Sequence, residues 1–326
     1  MSRQIMATVL AVLAGSMLAA CERPAPPEQQ AAATQPAANQ ERAVPIEPSK
    51  SGYADVNGIR LYHEIYGAGE PLVLLPGGLM TIPEMAPLVQ ALADERQVIA
   101  VELQGHGRTA DTDRPLRLKT MGDDVAALIE HLGLGRADLV GYSLGADVAL
   151  RAAIQHPDRV RRLVVLSTPY AFSGWYPTVQ VGMAQVDSKL AEQLKETPTG
   201  VASRDWPQPE RFPQFLDKLG AMMAEDYDWS AEIRRLQMPV MLIYADHDAI
   251  STRHIAEFFA LLGGGLEDPG WQDTKLTNAR LAIVPGYSHY NFYTAPELAP
   301  TIAKFLADPL TKPQGGDAAA ASKAAK

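Results

Sequence analysis

The chain holds one cysteine, Cys21, in 326 residues. An internal disulfide is therefore excluded, and the fold must rest on an apolar core, for which a hydrophobic content of 47% suffices. Positive charge is also scarce. The 29 Lys and Arg residues stand against 38 Asp and Glu, a formal charge of −9 with no basic run to offset it. That balance argues for solubility and against a nucleic-acid partner. A long apolar run is missing too, because the stretch from Ile5 to Leu13 is broken by small residues and is too short to cross a bilayer. Nor is there a metal-ligand set. Asp246, His247 and Asp248 are adjacent, so their side chains diverge, and no further group has ligand spacing. No metal or organic cofactor is implied.

What is present begins with a leader. Arg3, a short apolar centre and a small-residue end predict a secretory signal over residues 1–20. Its close, Leu18-Ala19-Ala20-Cys21, resembles the bacterial lipobox. That resemblance implies lipidation at Cys21 and a protein anchored by lipid on the periplasmic side of a membrane. With Glu22 after the cysteine instead of aspartate, it leans towards the outer membrane. Residues 21–52 are Pro, Ala, Gln and charge, with too little apolar surface to offset ordering entropy. They are expected to form a tether, reaching on the order of 30 Å if flexible. Residues 312–326 are expected to be a disordered tail.

The folded part is expected to begin at Tyr53. Asn57-Gly58 between two alternating runs signals a hairpin, since both turn positions need positive φ. Leu72–Gly78 is an apolar strand running into a glycine loop, and Val98–Glu102 is a second buried strand after a helix near Glu84–Leu92. Thr120 is placed to cap a helix carrying Val125, Leu128, Ile129 and Leu132 on one face. Further strands are expected at Leu139–Gly141, Leu163–Leu166, Pro239–Asp248 and Leu281–His289. Ser251 should cap a helix ended by Gly263, and a last helix should lie around Leu298–Leu306. Buried strands alternating with helices predict an α/β fold with a mostly parallel, doubly wound sheet. Residues 170–236 break the alternation. They gather Trp175, Tyr176, Trp206, Phe212, Phe215, Tyr227 and Trp229 between prolines, as a helical cap inserted into a core of residues 53–169 and 237–311 would.

The pattern Gly141-Tyr142-Ser143-Leu144-Gly145 lies between a strand and a helix. A serine at the apex of that turn needs a strained backbone, and only small neighbours let strand and helix approach. The geometry would hold the Ser143 hydroxyl above the sheet at the positive end of a helix. A serine hydroxyl is a poor nucleophile until a histidine takes its proton, and an acid must then fix that histidine's tautomer. Of seven histidines, His289 alone follows the last strand; His106, in the loop QGHGRT, is the second candidate. Asp248 and Asp246 both end the preceding strand. Asp248, further into the loop, is the better placed to reach a histidine at the sheet edge, and Asp246 is the alternative.

With these motifs in place, residues 53 to about 308 resemble the α/β-hydrolase family: GYSLG, PGG at Pro76–Gly78, VELQGHGRT, ADHD and PGYSH, in the order nucleophile, acid, histidine. The chain departs from the usual pattern at Pro76, Ala146 and Ala245, and no departure removes a catalytic group. The resemblance implies a triad of Ser143, Asp248 and His289 and an oxyanion hole made by the N–H groups of Gly78 and Leu144. It also implies acyl transfer on a small ester or lactone. The same triad serves carbon–carbon bond hydrolases, amidases and perhydrolases. A non-catalytic binding protein on this scaffold is the reading from another class.

Overall fold

The computed structural model describes residues 46–273 and 275–308. The expected leader and lipobox with Cys21, most of the expected tether and the expected tail lie outside the described residues. The described elements belong to the unit that begins at Glu47. Its strands are β1 (Lys50–Val56), β2 (Ile59–Tyr66), β3 (Glu70–Leu75), β4 (Arg96–Val101), β5 (Ala137–Tyr142), β6 (Val160–Leu166), β7 (Val240–His247) and β8 (Ala279–Ser288). They form one eight-stranded sheet in the order β1-β2-β4-β3-β5-β6-β7-β8. Only the pairs β1–β2 and β2–β4 are antiparallel, the first closed by Asn57 and Gly58, both at positive φ. All other neighbours are parallel. β1 starts earlier than expected. Lys50, Ser51 and Gly52 carry no apolar signal, yet they pair with Ile65, Glu64 and His63 as an exposed edge.

The strand period of two sorts the core into two layers. Val73 and Leu75 of β3, with Ile99, Val101 and Leu139, face one side; Leu72 and Leu74, with Val98, Ala100 and Val140, face the other. The first side is covered by α2 (Leu118–His131), α3 (Leu144–Gln155) and α9 (Thr252–Leu261). The second is covered by α1 (Ala86–Ala93) and α10 (Leu298–Ala307). Each fully buried aliphatic side chain contributes about 1.5–3 kcal/mol, so these layers carry the stability that disulfides would otherwise supply. α2 begins ahead of Thr120, with Arg117 as N-cap and no side-chain cap bond. Leu116 before the cap and Met121 in the first turn are both buried in one cluster, a staple that sets the helix start where a capping hydroxyl does not. Ser251 does cap α9, its hydroxyl accepting from the His254 N–H at 3.3 Å.

From β3 the chain passes to β4 on one side and later to β5 on the other, so the ends of β3 and β5 border a crevice. In an open parallel sheet that is where a ligand site forms. Between β6 and β7 lie α4 (Pro177–Met183), α5 (Leu190–Leu194), α6 (Pro198–Ala202), α7 (Phe212–Met223) and α8 (Ser230–Ile233). α7 buries Phe212, Phe215, Leu216, Leu219 and Met222 along one stripe into the same cluster as α2 and α3. Among the described residues no helix is long and apolar enough to cross a membrane.

Candidate functional site

Ser143 joins β5 to α3 with φ 51° and ψ −120°, a positive-φ conformation that costs of order 1–3 kcal/mol for a non-glycine residue. The surroundings impose it. A Cβ on Gly141 would come within 2.2 Å of the Gly145 carbonyl oxygen, and one on Gly145 within 2.2 Å of the Leu75 oxygen. Strand and helix therefore cross too closely for any side chain at either glycine, and the serine between them is turned outward. Its N–H donates to the Leu166 oxygen at 2.9 Å, which fastens the turn to β6.

Ser143 Oγ lies 3.1 Å from His289 Nε2, and His289 Nδ1 lies 3.0 Å from Asp248 Oδ1. With the proton on Nδ1 facing the carboxylate, Nε2 is left with a lone pair towards the serine hydroxyl. His289 and Asp248 are 8% and 9% exposed, so the line is shielded from water while the serine end is more open. Tyr142 stacks on the His289 ring at 5.7 Å, and its hydroxyl donates to the His289 carbonyl oxygen. Trp175 and Tyr290 stand edge-on to the same ring at 5.5 Å. These rings limit the imidazole to one plane.

Asp248 receives four donors. Oδ1 accepts from the Ala249 N–H at 2.7 Å as well as from His289, and Oδ2 accepts from Ser167 Oγ at 2.5 Å and the Ala245 N–H at 3.1 Å. Asp246 has a different place. The β7–β8 register shifts between Ala245 and His247, and at that irregularity Asp246 Oδ1 accepts from the N–H groups of Gly286 at 2.9 Å and Tyr287 at 3.3 Å. It ties down the segment that leads to His289.

Gly78 and Leu144 are brought together: a Cβ on Gly78 would stand 3.6–3.7 Å from the Leu144 side chain. Leu144 is the first residue of α3, so its N–H has no acceptor inside the helix. The Gly78 loop is a tight turn in which the Met80 N–H donates to the Gly77 oxygen at 3.2 Å and Leu79 takes φ 62°. His106 is not part of this group. It is 1% exposed, with Nδ1 3.0 Å from the Gln104 oxygen and its ring edge-on to Phe215 at 5.0 Å. Burial lowers it to about 4, so it is neutral at pH 7. Its loop is pinned from just after β4, where Glu102 accepts from Arg108 Nη2 at 2.6 Å and Nε at 3.0 Å.

Two residues at the site carry no signal in the sequence. Ser167 and Thr168 follow β6 in an ordinary Ser-Thr-Pro turn, yet Thr168 Oγ1 donates at 2.5 Å to Asp147 on the first turn of α3. Burial pushes the Asp147 carboxyl up to about 8, against the lowering effect of the Thr168 hydrogen bond. Among the described residues no group of three His, Cys, Asp or Glu side chains is placed to hold a metal ion.

A family model described as alpha/beta hydrolase fold matches residues 70–210. A relative named "Putative carbamate hydrolase RutD", from Caulobacter sp. (strain K31), is 38% identical over 270 residues, covering 73% of this chain and 91% of that protein. A pimeloyl-(acyl-carrier protein) methyl ester esterase from Nitrosomonas europaea is 24% identical over 266 residues, covering 73% and 95%. Among solved structures, the carboxylesterase CesB (YbfK) from Bacillus subtilis aligns with a TM-score of 0.62 at 20% identity, covering 82% of this chain and 94% of that one. At that identity the likeness is one of fold.

Proposed function

Since the chain belongs to the α/β-hydrolase family, and so to a family of hydrolases acting on small molecules, we propose that it cleaves a carboxylic ester or lactone by a Ser143–His289–Asp248 acyl-enzyme mechanism. The observation that carries the reading is the unbroken hydrogen-bonded line from Ser143 Oγ through His289 to Asp248, at 3.1 and 3.0 Å. Ser143 Oγ attacks the carbonyl carbon as its proton passes to His289 Nε2. The imidazolium faces the Asp248 carboxylate, and the N–H groups of Gly78 and Leu144 receive the oxyanion. His289 gives the proton to the leaving alkoxide, which departs. Water then attacks the acyl carbon, its proton goes to Nε2, and collapse returns Ser143 Oγ with that proton.

Carbamate cleavage is the second reading, favoured by the name of the relative that is 38% identical; it uses the same steps with a nitrogen or oxygen leaving group. A fluorophosphonate probe tests the shared chemistry. Stoichiometric labelling of the wild type at Ser143 is expected, and labelling elsewhere or not at all contradicts it. Turnover of matched ester, lactone and carbamate panels then assigns the substrate class. We also propose that Cys21 carries the lipid anchor. Incorporation of a palmitate analogue into the wild type but not into Cys21→Ser is the expected result, and an unlabelled wild type refutes it.

A further inference from the structure

Ser167 is fully buried and takes φ 55°, a conformation in which glycine or asparagine is the less strained choice. Its N–H donates to the Ile243 oxygen at 3.0 Å, a bond that any residue but proline would make. What serine adds there is a hydroxyl. That hydroxyl donates to Asp248 Oδ2 at 2.5 Å. An ionised carboxylate has about four lone-pair sites, and all four are taken on Asp248: two backbone N–H groups, His289 and Ser167. The two N–H groups come from Ala245, in β7, and Ala249, next to Asp248, both on the stretch of chain that carries the carboxylate. Besides His289, Ser167 is the donor supplied from another strand end, and its short bond to Oδ2 ties the carboxylate to the end of β6 on the side away from the imidazole.

We infer that Ser167 is a positioning residue for the acid of the triad: its hydroxyl holds Oδ2 so that Oδ1 meets His289 Nδ1, and the strained backbone is kept for that hydrogen bond. The inference rests on the assignment of Asp248, His289 and Ser143 as the catalytic line. Without the hydroxyl, Oδ2 keeps only the longer bond from the Ala245 N–H at 3.1 Å, one of its acceptor sites is left unmatched in a dry site, and the carboxylate is freer to turn. The imidazole then loses its fixed tautomer and aim. A misplacement of about 1 Å at a reacting group costs on the order of a hundredfold in rate.

Ser167→Gly separates this role from a structural one, because glycine suits φ 55° and removes only the hydroxyl and its Cβ. In the full chain, with p-nitrophenyl acetate as probe, we expect kcat to fall about ten- to a hundredfold while KM stays within about twofold and Tm does not drop. The rate of fluorophosphonate labelling at Ser143 should fall in parallel. The low-field proton resonance of His289 Nδ1–H should shift or vanish. Ser167→Ala, which keeps the strain and lacks the hydroxyl, should lose the same activity. Wild-type kcat and labelling rate in Ser167→Gly overturn the inference, as does a loss of activity that follows only a loss of Tm. If Ser143→Ala itself still hydrolyses the probe, the triad assignment fails instead, and the two failures are told apart in one set of assays.

Discussion

The elbow around Ser143 and the insertion between β6 and β7 are built on opposite terms. At the elbow, strand ends and a helix start converge, two glycines are dictated by contacts of 2.2 Å with backbone, and the exposed product is one hydroxyl. The insertion has close backbone approaches of its own, at Gly200 and Gly220, but they present no reactive group. Around α7 its order comes from side chains, with Phe215 stacked on Phe212 at 6.2 Å, near Trp206 at 6.1 Å and against His106 at 5.0 Å. The elbow therefore spends stability to hold the proposed nucleophile, whereas the insertion gains stability by filling space over the sheet. Variants in the first should lose rate at little cost in folding, and variants in the second should do the reverse.

The sharpest test of that contrast is Ser143→Ala. Alanine carries the same Cβ at the same φ, so Tm should stay near the wild type while kcat/KM falls at least about 10⁴-fold, the remaining activity coming from the oxyanion donors and binding. A folded Ser143→Ala enzyme with substantial turnover breaks the contrast. Asp248→Asn comes next, with an expected loss of about 10⁴-fold in kcat. An amide offers one acceptor oxygen to a site with four donors, so one side of it must face donors with a donor. Asp246→Asn keeps the single oxygen that accepts from Gly286 and Tyr287, and a loss of no more than about tenfold is expected. Side-by-side kinetics decide the order, and a reversed order would make Asp246 the acid.

For the insertion, Phe215→Ala should cost about 3–5 kcal/mol in denaturant unfolding, the range for emptying a buried aromatic site. Its kcat should change far less than in the elbow variants, and a larger effect on rate than on stability would show that the insertion aims the chemistry as well as covering it. The smallest effect on rate belongs to Asp147, on the first turn of α3. Its carboxyl is raised from an unfolded value of about 3.9 to about 8. Between those values the native state therefore binds more protons than the unfolded chain. The stabilising contribution is complete below the unfolded value and is lost as pH rises towards 8. The amide of an asparagine at this position cannot ionise, so Asp147→Asn should match the wild type in Tm at about pH 4 and exceed it increasingly as pH rises towards about 8. Melting curves that run parallel across that range would show that Asp147 is not held neutral.

Much of the sheet is legible in the chain because its signals are local. Apolar runs, Asn57-Gly58 and the glycines at 141 and 145 act within a few residues, and the order of strand, turn and helix around Ser143 follows from them. The pairing of Ser143 with His289 and Asp248 rests, in the sequence, on the order of strand ends and on family likeness, to which the distances add a geometry. Other features have no local signal. Lys50–Gly52 join β1 because the facing strand offers partners, and α2 starts at a hydrophobic staple instead of at Thr120. The different duties of Asp246 and Asp248 arise from a register shift between two strands, which a single stretch of sequence does not record. Ser167 and Asp147 are legible only once β6, β7 and α3 stand side by side.

The distance along the chain between the proposed nucleophile and the proposed base has a temporal meaning. Ser143 and His289 are separated by 146 residues, and His289 follows β8, which among the described residues stands at the sheet edge and pairs with β7 alone. On the proposed triad, a growing polypeptide carries the elbow and its helix long before it carries the base, and a nascent chain is chemically silent until β8 docks. On the same proposal, molecules truncated before β8 are inert, since a serine without its imidazole is an ordinary alcohol.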